Sequence, residues 1–359
     1  MQLSPVRTID AGSPVLDMAL HPSLNLVSLS LVNGRLDIWD VQGFEEIKRA
    51  TFDVHGYFPV RRVLWSNDGQ LLVTSDKLGR VAVLDAETGA VSCAIEAVGN
   101  PDCNCGVSAV AFLNPSVLVT GDDMGLVRGW DLRVPSPGPD NHTFEFWENE
   151  DTIHEILTKG DHVVCGSGEY LEVFDVKAAA DPLVAMSDEC EEDLVAMTFA
   201  HQENKILTSL FSSGDVAIWE YDDFGYFRSK VTGHPDTVNA MAMYDQGTVL
   251  TGCGDGRLRV ASVKPTGICG TIAVHCRVDN DSGTASGINC LQLTPQKDFA
   301  VTAGDDNCVK FWDLDAVDSM VHVYESRKSK NEEVLLDDDD LKQLDMQQGN
   351  FFADLETDF

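Results

Sequence analysis

The chain is poor in positive charge. Lysine and arginine together number 25 against 59 aspartates and glutamates, a formal net charge of −34 over 359 residues. Proteins that hold nucleic acid without regard to sequence take their binding energy from cations that neutralise phosphates, so direct nucleic-acid binding of that kind is disfavoured. Long apolar runs are missing too. The longest are strand-sized, far below the roughly 20 residues of a membrane-spanning helix, and no membrane segment is expected. The first ten residues, MQLSPVRTID, lack the apolar stretch of a secretory signal. On that reading the ten cysteines are expected to stay reduced, in cytosol or nucleus. Several lie inside apolar runs, as Cys165 does in HVVCGSG and Cys290 in GINCLQL, where a thiol behaves as a small buried apolar group. Catalytic signatures are also lacking: there is no GxSxG, no P-loop and no HExxH. Cys103-Asn104-Cys105 has no second pair to complete a zinc site. The expectation is a protein without enzymatic activity, cofactor or metal.

What the chain does have is repetition. The stretch TGDDMGLVRGWDLR, Thr120 to Arg133, reads as strand, tight turn, strand: Asp122, Asp123 and Gly125 supply turn chemistry between two apolar runs. Related closing strands end at Asp40 (NGRLDIWD), Asp85 (LGRVAVLD), Asp131 (MGLVRGWD), Asp175 (GEYLEVFD), Glu220 (SGDVAIWE), Ser262 (DGRLRVAS) and Asp313 (NCVKFWD). Each is preceded by two further apolar strands separated by a polar turn, such as VRRVLW, SNDGQ, LLVTS in the second copy. A period of about 45 residues with four strands per unit is that of the WD40 repeat. The expected fold is therefore all-β, a seven-bladed propeller over 1–316, with an acidic, poorly ordered C-terminal tail over 317–359.

A propeller must close its ring. The seventh copy supplies three strands, and the extended N-terminal stretch Val6 to Asp10 is expected to add the outer strand of the last blade. FEFW, near Trp147, is expected to be the outer strand of the third. The His–Ser/Thr–Asp–Trp hydrogen-bond network typical of these repeats is poorly kept in the sequence. Only Gly233-His234 provides the usual pair, with Thr251 and Asp255 as its expected partners and Ala261 where the tryptophan belongs. Trp39, Trp130, Trp219 and Trp312 sit in copies without an evident Gly-His. His234 is read as structural rather than catalytic.

The acidity has a distribution. Twelve acidic and 4 basic residues from Val317 onward give the tail −8 and leave −26 for the rest. An acidic body is the electrostatic complement of a basic partner protein. Within the tail, Asn350 to Leu355 (NFFADL) places Phe351, Phe352 and Leu355 in a polar, acidic context. Such a cluster reads as a short linear motif that docks into a groove, or as a segment that packs back onto the propeller.

Nearly the whole chain resembles the WD repeat-containing protein 55 family. The likeness is carried by VLDMALHP (15–22), LLVTSDKLGRVAVLDAETG (71–89), VLVTGDDMGLVRGWDLR (117–133), IWEYDDFGYF (218–227), GTVLTGCGDGRLRVASVKPTG (247–267), FWDLDAV (311–317) and NFFADL (350–355). The resemblance implies a nuclear, nucleolar factor in ribosomal RNA processing and large-subunit assembly, with cytoplasmic residence also open. Such a factor would be a monomer within larger complexes whose partners are basic ribosomal or pre-ribosomal proteins. The basic run before the tail is only RKSK (327–330), shorter than the family's, which weakens the case for autonomous nuclear import. A rival likeness lies in Trp130-Asp131-Leu132-Arg133, which has the WDxR form found in substrate receptors of cullin-RING ubiquitin ligases. It implies that Arg133 contacts the ligase adaptor while Asp123 and Asp131 fix the local turn. A third reading, an acidic histone-chaperone-like scaffold, also suits the charge.

Overall fold

The computed structural model describes residues 3–329 apart from 42–46, 97–104, 135, 139, 179–180, 201, 203 and 276–285. It holds seven four-stranded antiparallel sheets. The innermost strands are Val15–Leu20, Val60–Trp65, Val107–Asn114, Ile153–Lys159, Leu194–Ala200, Val238–Met243 and Ile288–Leu293. Each packs against the next, and the seventh returns to the first, so the ring is closed. The last blade takes its outer strand from the N-terminus. Arg7–Asp10 pairs antiparallel with Cys308–Asp313, Arg7 opposite Phe311 and Asp10 opposite Cys308. Phe144–Phe146 is the outer strand of blade 3. No helix among the described residues is long and apolar enough to cross a membrane.

Alternation of side chains along these strands sends apolar residues toward both neighbouring blades. The core is accordingly divided into seven, one cluster per blade junction. Val73, Val83 and Trp130 fill the junction of blades 2 and 3; Val119, Phe146 and Phe174 that of blades 3 and 4; and Ile9, Val27 and Phe311 the closing junction of blades 7 and 1. Full burial of each such side chain contributes roughly 1.5–3 kcal/mol, which is how divergent repeats hold together with few conserved polar contacts.

The sequence-based tail begins too early. Val317–Ser329 is an α-helix, and its Val317, Met320 and Tyr324 are buried in the cluster between blades 6 and 7. The Tyr324 hydroxyl donates to the Thr266 carbonyl at 2.6 Å. Three apolar residues at helical spacing find a place beside Leu258 and Cys269, so the segment orders despite its acidic flank. The cysteine expectation also needs one correction: Cys105 is disulfide-bonded, whereas Cys93, Cys165, Cys190, Cys253, Cys269, Cys290 and Cys308 form no disulfide.

The hydrogen-bond network is better kept than the sequence suggests. In blades 3, 5 and 7 the closing tryptophan bonds to a threonine two positions beyond its cross-strand partner. Trp130 pairs with Leu118 and donates to Thr120 Oγ1 at 2.9 Å; Trp219 pairs with Ile206 and donates to Thr208 Oγ1 at 2.9 Å. Blade 7 has a complete chain. Trp312 Nε1 donates to Thr302 Oγ1 at 2.7 Å, Thr302 Oγ1 lies 2.6 Å from His275 Nδ1, and His275 Nε2 lies 3.1 Å from Asp306 Oδ1. In blade 2 His55 bridges Thr74 (2.8 Å) and Asp76 (3.0 Å). His275 and His55 follow Val274 and Val54 rather than glycine, so no Gly-His pair announces them. In blade 6 His234 Nε2 meets Thr251 Oγ1 at 3.0 Å as expected. Asp255, however, is held by the Arg259 guanidinium at 2.9 and 2.5 Å and not by His234. Blade 1 lacks the acceptor: Trp39 pairs with Val27, which puts Leu29 at the threonine position, and the Trp39 indole N–H has no hydrogen-bond partner among the described residues.

Candidate interaction surface

Antiparallel order assigns every loop to one of two faces. Turns between the second and third strands, with crossings from one blade's outer strand to the next blade's inner strand, make the upper face. Turns between first and second and between third and fourth strands make the lower face. Each inner strand carries a register break just inside its upper end, at 15/17, 60/62, 107/109, 153/155, 194/197, 238/240 and 288/290. An extra residue there turns its side chain out of the ladder. Arg61, Ser108, His154, Asn239 and Asn289 occupy five of these places. Four of them reach across to a neighbour: Arg61 donates to both Asp123 oxygens at 2.7 Å, Ser108 to Ile153 O at 2.7 Å, Asn239 to Ile288 O at 3.1 Å and Asn289 to Val15 O at 3.5 Å.

Deeper in the channel Arg62 joins three blades. Its Nε donates to Ser108 O at 2.5 Å and its Nη2 to His154 O at 2.7 Å, and it lies 3.6 Å from the Glu155 carboxylate. Burial raises the pKa of both Asp17 and Glu155, each opposed by the charge of Arg62. The mouth above is acidic. Burial, the nearby Glu189 and the charges of Asp193 and Asp151 together push the Glu169 carboxyl up. The exposed apolar side chains of this face surround that mouth. Tyr57 is 94% exposed, Trp147 57% and Phe211 54%, with Met124, Phe58 and Leu78 half-exposed. Trp147 is fixed there because its indole N–H donates to the Met124 carbonyl at 3.2 Å. Gly125 permits that approach: it has φ of 81°, and a Cβ on it would strike Asn149 O.

The WDxR residues do not gather into one surface. Trp130 is fully buried between blades and builds the fold, so it presents nothing to a partner. Asp123 lies on the upper face, committed to Arg61 and to the Gly106 N–H at 2.9 Å. Asp131 and Arg133 lie at the other end of the strand, on the lower face. Arg133 folds back on Asp131, with Nε and Nη2 at 2.8 and 2.6 Å, while its side chain stays 76% exposed. Those hydrogen bonds bring the Asp131 carboxyl down to about 2. Phe351, Phe352 and Leu355 lie outside the described residues. The exposed apolar rim escaped sequence reading because Tyr57, Met124 and Phe211 belong to separate copies; the signal available was an apolar residue in a turn that ordinarily takes a polar one. Among the described residues no cluster of histidine, cysteine, aspartate or glutamate is arranged to hold a metal.

Comparison with known proteins agrees with the ring. The family model "WD domain, G-beta repeat" matches residues 225–261 and 277–313. WD repeat-containing protein 55 of Pongo abelii and that of Bos taurus are each 26% identical over 324 residues, 89% of this chain and 79% of theirs. The Homo sapiens protein of the same name is 25% identical over 307 residues, 84% of this chain and 75% of its own. With seven WD-type blades and a likeness that runs along most of its length, the chain is similar to the WD repeat-containing protein 55 proteins.

Proposed function

We propose that the protein is a non-enzymatic scaffold of ribosome biogenesis, acting in ribosomal RNA processing and large-subunit assembly by holding a basic ribosomal or pre-ribosomal protein on its upper face. The observation that carries this reading is the pairing of an acidic channel mouth with exposed aromatics around it. Tyr57, Trp147 and Phe211 offer anchors of the type that dominates binding energy, and Asp151, Glu169, Glu189 and Asp193 steer a cationic partner toward them. The likeness to the WD repeat-containing protein 55 proteins is what supports a nuclear, nucleolar placement. The test is affinity purification of the tagged protein at low salt, comparing the parent with Glu169→Lys/Glu189→Lys and with Phe211→Ala. Large-subunit assembly proteins should be recovered with the parent and lost at least tenfold with the charge reversal, while melting is unchanged. Equal recovery would remove the upper face from the reading, unaltered precursor rRNA on depletion would remove ribosome assembly, and recovery of histones alone would favour the chaperone alternative.

The exposed Arg133 supports a second reading, adaptor binding in a cullin-RING ligase through the lower face. Recovery of the adaptor that vanishes with Arg133→Ala is its signature; no adaptor in the parent sample eliminates it.

A further inference from the structure

A cavity of about 750 Å³ opens between blades 1 and 2 on the lower face, opposite the acidic mouth. Its walls include His21, Leu24, Ile38, Phe52 and Trp65, with the charged Arg49, Asp85 and Glu87 also lining it. The volume lies within the range that takes several side chains or a small ligand. Two features mark it as more than a packing gap. The Trp65 ring is 6% exposed and lines the cavity, yet its indole N–H has no acceptor among the described residues. A buried donor left unpaired costs about 1–3 kcal/mol, which an occupant's carbonyl would relieve. The wall is also rigid. His21 Nδ1 accepts the Ser23 and Leu24 N–H groups at 3.1 and 2.9 Å, its Nε2 faces Gly69 O at 3.2 Å, and its ring packs edge-on against Trp65 at 4.7 Å. The shape is therefore present before anything enters, and little ordering is required on binding.

We infer that this cavity receives the chain's own C-terminal segment, with Phe351, Phe352 and Leu355 as the inserted side chains. Three observations select that occupant. The final helix leaves from the lower face: it follows the third strand of blade 7 and is pinned through Tyr324 to Thr266, at the lower-face turn of blade 6. The 30 residues after Ser329 are polar and acidic except for short apolar groups, of which NFFADL is the only one with adjacent aromatics. Reach is sufficient. About 20 residues separate the helix from Phe351, a length of chain that reaches about 65 Å when stretched. A body of this size is roughly 50 Å across. Charge does not drive the docking, because the tail and the body are both acidic; the cavity supplies burial of two aromatic rings and one unsatisfied donor. Mutual repulsion sets the direction of the salt effect, and screening strengthens the contact.

The experiment uses the full chain. Phe352→p-benzoylphenylalanine is irradiated and the crosslinked peptides are identified, in parallel with hydrogen exchange of the parent and of Phe351→Ala/Phe352→Ala. Crosslinks within one molecule to residues 21–26, 49–52 or 65–70 are expected. With an effective concentration on the order of 1 mM and a Kd on the order of 0.1 mM, exchange of the amides at 22–25 and 86–89 should be about tenfold slower in the parent than in the double variant. Raising salt to 0.5 M should widen that difference. Crosslinks between two copies, crosslinks only to other blades, or exchange indistinguishable between the two proteins would each overturn the inference. Because the upper-face variants do not alter the cavity, their outcome is independent of this one.

Discussion

Replacing Glu172 by glutamine should make the protein more stable at alkaline pH and not at acid pH. The position two residues before the closing aromatic is charged in five copies. In four the charge is answered: Asp37 by Arg35 at 3.0 Å and Lys48 at 2.7 Å, Arg128 by Glu145 at 2.7 Å, Arg259 by Asp255, and Lys310 by Asp306 at 2.7 Å. Glu172 is the fifth. It is 1% exposed, stands opposite Cys165 in the sheet, and neither carboxylate oxygen has a hydrogen-bond partner among the described residues. Burial, with a smaller push from the charge of Glu148, lifts its pKa from 4.5 to about 7. The folded state therefore holds this proton more tightly than the unfolded chain does. The associated stability is full below pH 4.5 and is lost as the pH rises through 7. A displacement of that size corresponds to about 3 kcal/mol at pH 8. With an unfolding entropy of about 2.1 cal/mol/K per residue, a cooperative unit of some 320 residues gains roughly 4–5 °C in Tm when the charge is removed. Differential scanning calorimetry of the parent and Glu172→Gln at pH 8 and pH 4.5 measures it. The gain should appear at pH 8 and shrink below about 1 °C at pH 4.5. Equal shifts at both pH values, or none at pH 8, would mean that the carboxylate has a partner or is hydrated, and the reasoning would fail. Subtracting one protein from the other also cancels the opposite trend from His234. Burial, reinforced by the charge of Arg259, lowers its pKa to about 4, so its contribution falls as the pH drops from 6.5 toward 4.

Three further outcomes are expected. Thr302→Val leaves the Trp312 indole N–H and the His275 ring without their shared hydroxyl and should cost about 2–4 kcal/mol, seen as a lower denaturation midpoint with an unchanged slope. Leu29→Thr, at the same place in blade 1, offers an acceptor to Trp39; by contrast it should cost less than the 2–5 kcal/mol usual for truncating a buried leucine, and a full-sized loss would show that the indole gained nothing. Deletion of residues 1–11 removes the strand paired with Cys308–Asp313 and should expose a sheet edge that aggregates; a soluble, monodisperse product with unchanged melting in light scattering and calorimetry would contradict it.

The seven-fold period was legible because each copy is local: three strands with turn residues at fixed offsets recur before any long-range contact is needed. The closing strand was legible for a related reason, since a ring short of one strand points to the other terminus. The C-terminal helix left a signal that went unread. Val317, Met320 and Tyr324 stand at helical spacing, but the surrounding charge made the segment look like tail. The bulges at the channel mouth left none. Arg61 and Arg62 are adjacent in sequence and look alike, yet an extra residue in the strand sends one to Asp123 and the other across the channel to His154 O. The WDxR likeness failed as a surface because Asp123 and Arg133 stand at opposite ends of one strand, a separation that a run of letters does not display.

The ring closure also sets a timetable for the nascent chain. Arg7–Asp10 emerges long before its partner strand, Cys308–Asp313. About 300 residues must be made in between, some 15–60 s at 5–20 residues per second. Bringing the two ends together then costs roughly 5 kcal/mol of chain entropy, recovered only when blade 7 is whole. Until Cys308–Asp313 has been made, Arg7–Asp10 has no strand to pair with in this sheet. A chain that stops short of Cys308 is an open arc with an unpaired sheet edge at each end, a template for aggregation.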